Sequence, residues 1–115
     1  MLDNTTTIDS LKKRIHEFID RRDWQKYHNP KDLAMSLSIE AAELLEIFQW
    51  KDGQEISEGL PELRSKIEEE LADIAIYLLS FCVANEIDLS KIVLDKVRRN
   101  EEKYPADQYR GRASL

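Results

Sequence analysis

Two short acidic motifs sit inside helical apolar stripes, and they constrain this chain more than any other feature. They are Glu40-Ala-Ala-Glu43 and Glu70-Leu-Ala-Asp73. In an α-helix residues three apart share a face, so each motif presents two carboxylates side by side. Leu33, Leu37, Leu44 and Ile47 recur at helical spacing, and Glu40 stands at the step that this stripe skips. Ile67, Leu71, Ile74, Leu78 and Phe81 form a second seam, with Glu70 on its flank in line with Ile74, Tyr77 and Phe81. Acids occupy places where a core-facing helix normally carries leucine.

A buried carboxylate without a partner is strongly disfavoured, and several together repel one another. Such a cluster needs protons, basic partners or a cation. A divalent cation answers the need most directly, and all-oxygen ligation suits Mg²⁺ or Mn²⁺, whereas zinc favours His or Cys. Glu40, Glu43, Glu70 and Asp73 are therefore the expected metal ligands.

The rest of the composition narrows the class. The 115 residues fit one domain with a core of its own. Seventeen basic against 23 acidic residues leave a net charge of −6, which argues against coating a nucleic-acid polymer but not against a phosphate ligand carried by metal. The one cysteine, Cys82, lies in the apolar run Ile74 to Val83 and reads as a core thiol, so no disulfide framework exists within the chain. The start Met-Leu-Asp-Asn-Thr lacks a basic leader region, and no apolar run reaches the roughly 18 residues of a membrane span. These features predict a cytoplasmic protein with no membrane partner.

Three glycines, three prolines and no alternating pattern predict an all-α fold. Thr7 is the expected cap of a first helix over 8–23, packed through Ile8, Leu11, Ile15, Phe18 and Ile19. Asn29-Pro30 opens a second helix over 30–50, which Lys51-Asp52-Gly53 stops. A loop containing Gly59 leads to a third helix over 61–85, antiparallel to the second, so that the two acid pairs face each other. Asp88 caps a fourth helix over 89–103, Pro105 ends it, and Arg110 to Leu115 reads as a mobile tail. The expected architecture is a four-helix bundle over 1–105 with its acidic metal site between the second and third helices, and a tail over 106–115.

The order of motifs carries a resemblance. Arg22-Asp-Trp24, His28-Asn-Pro30, Glu43-Leu-Leu-Glu-Ile-Phe-Gln-Trp50-Lys51, Glu69-Glu70-Leu-Ala-Asp73-Ile-Ala-Ile-Tyr77-Leu78 and Lys96-x-x-x-Asn100-x-x-x-Tyr104-Pro105 follow one another. This sequence of blocks resembles the MazG-like, all-α nucleoside triphosphate pyrophosphohydrolases, especially the compact group that includes the dCTP pyrophosphatases. The resemblance implies hydrolysis of a nucleoside triphosphate to monophosphate and pyrophosphate, Mg²⁺ held by Glu40, Glu43, Glu70 and Asp73 as the catalytic centre, and a homodimer or homotetramer. It also implies a role in clearing unwanted nucleotides or controlling a deoxynucleotide pool. dCTP-specific relatives carry a histidine that aligns with Ile15, whereas this chain has His16, so the base stays open.

Around the acids, Lys96 and Asn100 lie four apart on the fourth helix and either meet substrate phosphates or mark a solvated face. Lys31 is a further phosphate candidate. Trp24, His28, Trp50 and Tyr77 are the candidate base-binding side chains, with ordinary packing as the alternative. Glu46, Glu68 and Glu69 read first as a solvated face, with an accessory metal role open for Glu46. Two rival readings remain. A di-iron carboxylate bundle requires Glu-x-x-His on two helices, and neither acidic pair has that histidine. A non-catalytic helical interaction module would use the acids and Lys96 in inter-helix salt bridges, although hydrophobic residues there are often as stable.

Overall fold

In the computed structural model, which describes residues 1–112, every regular element is helical. A 3-10 turn at Leu2–Asn4 precedes α1 (Ile8–Asp20), and another at Gln25–Tyr27 leads into α2 (Pro30–Phe48). Then come α3 (Gly53–Ala84), α4 (Leu89–Lys103) and the single turn α5 (Ala106–Tyr109). The all-α expectation holds, with five helices in place of four.

Local chemistry explains most boundaries. Thr7 caps α1 by accepting from the Ser10 amide at 3.0 Å, and Asn29 caps α2 through the Asp32 amide at 2.9 Å, with Pro30 in the first turn. Asp88 caps α4 through the Lys91 amide at 3.1 Å. α1 ends at Asp20, three residues before its expected end, because Asp23 turns left-handed at φ 54°. The Trp24 amide then donates to Ile19 O at 3.1 Å and the Asp23 amide to Asp20 O at 3.0 Å, the paired bonds of a Schellman ending. α3 ends in the same way: Glu86 has φ 51°, and Ile87 and Glu86 donate to Cys82 O and Val83 O. α2 stops two residues short of Trp50, where the Lys51 amide bonds back to Phe48 O at 2.9 Å.

The largest departure concerns the segment expected to be a loop before Pro61. α3 begins at Gly53 and carries Gly59 and Pro61 within it, 32 residues in all. Asp52 caps it by accepting from the Glu55 amide at 2.8 Å, with an acidic residue in the first turn. Ile56, Leu60, Leu63 and Ile67 continue the helical stripe straight through the proline. At 1.5 Å per residue the helix is about 48 Å long. The longest dimension of the molecule is 47 Å.

α2 packs along α3, and α1 packs against α3. Among the described residues Ile19, Leu33, Leu79 and Cys82 are the buried apolar side chains, so Cys82 is the core thiol expected of it. α4 buries none of its residues and leaves Ile92, Val93, Leu94 and Val97 exposed. The bundle is therefore open on its α4 side. At the C-terminal end the Tyr109 ring of α5 meets Tyr104 edge-on at 5.1 Å, within the stretch read as tail. Ala113, Ser114 and Leu115, the end of that stretch, lie outside the described residues.

Candidate active site

Residue pairs that share a cleft or cluster fix the direction of α2 against α3. Ser36 lies with Tyr77, Glu43 with Glu70, and Ile47 with Lys66, so numbers rise on one helix as they fall on the other. This antiparallel register brings the two acidic motifs together. One carboxylate oxygen from each of Glu40, Glu43 and Glu70 lies within 4.8 Å of the others. Asp73 stands one turn from Glu70, half-buried, outside that trio but near enough for its charge to act on Glu40.

The three acids differ in setting. Glu70 is 4% exposed, Glu40 half-buried and Glu43 exposed. Oε2 of Glu40 and Oε2 of Glu70 are buried without a hydrogen-bond partner. Lys66, one turn earlier on α3, reaches only the other Glu70 oxygen, at 3.7 Å, from a mostly exposed position. Burial pushes the Glu40 carboxyl up from 4.5 to about 7, helped by the adjoining Glu70 and Glu43 carboxyls and by the charges of Glu43 and Asp73. Clustered, desolvated oxygens with orphaned lone pairs form a donor set that fits a hard divalent cation. A cleft of about 410 Å³ lined by Glu43, Glu46, Ile47, Lys66 and Glu70 opens beside them.

A second cleft, of about 300 Å³, lies one turn along both helices. Trp24, His28 and Tyr77 line it, together with Asp32 and Ser36. Trp24 is also held edge-on against Phe18 at 5.7 Å. Three of the four side chains expected to bound a base are thus gathered in one place. Trp50 is not among them: it is 87% exposed beyond the end of α2. Among the described residues neither cleft is lined by Lys31, Lys96 or Asn100, which are exposed on α2 and α4. Lys66, Asp32 and Ser36 escaped the sequence reading, although helical spacing held the signal. Lys66 and Ser36 each precede a cluster acid, Glu70 and Glu40, by one turn.

The arrangement matches known proteins. Residues 35–114 match the MazG-like family. The chain is 38% identical over 102 residues to human dCTP pyrophosphatase 1, covering 87% of this chain and 60% of that protein. To the rat dCTP pyrophosphatase 1 it is 35% identical over 109 residues, covering 93% of this chain. It spans 64% of the length of that relative. A crystal structure of a pyrophosphatase from Archaeoglobus fulgidus superposes with a TM-score of 0.81 at 49% identity, covering 84% of this chain and 91% of that one. The family match covers most of the chain and the superposition extends the likeness to the helical fold, and the chain belongs to the MazG-like family.

Proposed function

We propose that this protein is a Mg²⁺-dependent nucleoside triphosphate pyrophosphohydrolase, with Mn²⁺ as a possible substitute, that clears or regulates nucleotides in the cytoplasm. The carrying observation is the trio Glu40, Glu43 and Glu70, with two buried oxygens that lack any protein donor. Relatives named dCTP pyrophosphatase and pyrophosphatase support the reaction class. Glu40, Glu43, Glu70 and Asp73 would hold the cation. When bound, it supplies positive charge to phosphate oxygens and acidifies nearby water.

Hydrolysis adds a water oxygen to the α-phosphorus and breaks its bond to the oxygen bridging to the β-phosphate. Pyrophosphate leaves, and the water's proton needs an acceptor. Glu43 is our assignment for that acceptor, being the exposed member of the trio. Trp24, His28 and Tyr77 hold the base in the adjoining cleft, and a (deoxy)nucleoside triphosphate of the dCTP kind is the substrate class.

We assign a homodimer or homotetramer on the surface left uncovered. The chain exposes 9344 Å², against about 6,500 Å² for a folded monomer of its mass. Its radius of gyration is 17.5 Å, where about 13 Å is usual. A standard interface covers about 800 Å² per partner, so the excess is ample for one large or several ordinary interfaces. Assembly is also the route by which Lys96, Asn100, Lys31 and Trp50 would reach a substrate. A monomeric mass in sedimentation at micromolar concentration would refute the assembly.

The reaction is tested by incubating the protein with Mg²⁺ and a panel of ribo- and deoxynucleoside triphosphates and separating the products by ion exchange. Monophosphate plus pyrophosphate, lost in Glu40→Gln and Asp73→Ala, is the expected result. Diphosphate plus phosphate would mean that another bond is cut. No turnover of any triphosphate would favour the interaction-module reading.

A further inference from the structure

The second cleft, one turn from the acids, has one wall that its proposed role as a base pocket does not require. Aromatic faces from Trp24, Tyr27 and Tyr77 serve any nucleobase, because every base has a π-face. Asp32 does not serve every base. An ionised carboxylate only accepts hydrogen bonds, so placed opposite the exocyclic substituent of a base it favours an amino group and repels a carbonyl.

Asp32 is held in place by the start of α2. Its amide donates to Asn29 Oδ1 at 2.9 Å, and Asn29 Nδ2 donates to Asp32 Oδ2 at 2.7 Å, a reciprocal clamp on the first turn. Ser36 lies one turn further in, half-buried, and also lines the cleft. From Ser36 to Glu40 on α2, and from Tyr77 back to Asp73 on α3, the rise is about 6 Å. That span suits the sugar between a base held in this cleft and an α-phosphate at the acids.

We propose that Asp32 selects the base, accepting from an exocyclic amino group so that cytosine or adenine is taken in preference to uracil, thymine or hypoxanthine. This rests on the reading of the cleft as a base pocket. Asp32 is a specificity residue: it touches the base edge and no reacting atom. A hydrogen bond to a charged group is worth about 1.5–3 kcal/mol, roughly 10- to 150-fold.

The test compares bases that differ only in that group. Binding of dCMP against dUMP, and of dAMP against dIMP, is followed through tryptophan fluorescence, since Trp24 lines the cleft. kcat/KM is measured for the matching triphosphates. The wild-type protein should prefer the amino member of at least one pair by about tenfold or more. Asp32→Asn keeps the size and an oxygen for the Asn29 clamp but gains a donor, so the preference should fall to within about threefold while the thermal midpoint holds. Equal wild-type affinity for both members, no binding of any of the four, or a preference that survives in Asp32→Asn would overturn the proposal. The binding arm needs no catalysis. A preference for dCMP that depends on Asp32 without triphosphate hydrolysis would refute the proposed reaction and leave this inference standing.

Discussion

The acid cluster makes a prediction that can be worked through in sign and size. Glu40→Gln replaces a carboxyl whose folded-state pKa is raised from 4.5 to about 7. A raised carboxyl costs the folded state nothing while both states are protonated, below about pH 4.5. The cost grows between pH 4.5 and 7 and is complete above 7. At full strength this shift corresponds to about 3 kcal/mol. Solvent screening at a half-buried position leaves on the order of 1–2 kcal/mol. In EDTA at pH 8 the variant should therefore melt about 4–10 °C above the wild type, and at pH 4.5 the two should coincide. Magnesium should reverse the order at pH 8. An ion at a hundred times its Kd stabilises the wild type by about 2.7 kcal/mol, whereas the variant lacks one ligand. Calorimetry at both pH values, with EDTA and with Mg²⁺, makes the measurement. An unchanged difference between pH 4.5 and pH 8, or equal stabilisation of both proteins by Mg²⁺, would refute the account of the cluster as a strained cation site.

Leu33 is 2% exposed where α2 enters the core, and Leu33→Ala should cost about 2–5 kcal/mol in denaturant melts. Glu86 holds a left-handed conformation at the end of α3, and Glu86→Gly should stabilise by about 1 kcal/mol, read as a higher midpoint with activity unchanged. Lys66→Ala removes a long, exposed contact to Glu70 and should change stability by less than about 1 kcal/mol.

How much of this was legible beforehand depends on where the physics acts. The caps Thr7, Asn29 and Asp88 stand in the sequence, and each makes its bond in the structure, because a cap is local chemistry. The facing acids were legible because helical period and chain length leave few ways to bring Glu40 and Glu70 together other than antiparallel helices. Pro61 reads as a boundary in the sequence, but the Asp52 cap and the Ile56-Leu60-Leu63-Ile67 stripe outweigh it. Asp23 and Glu86 left no glycine to announce their helix ends, since their left-handed turns are imposed by the paired backbone bonds around them.

Lys96 and Asn100 show a different limit. Periodicity gives α4 an apolar side and places these two residues four apart, but it does not say which molecule that side meets. In the chain Ile92, Val93, Leu94 and Val97 remain exposed, and neither cleft includes Lys96 or Asn100. A helix with such a face is not at rest in water: covering four aliphatic side chains is worth several kcal/mol at about 25 cal/mol per Å². An assembly that covered α4 would also set where its lysine and asparagine point. Their proposed contact with substrate and the proposed oligomer are therefore one hypothesis about α4.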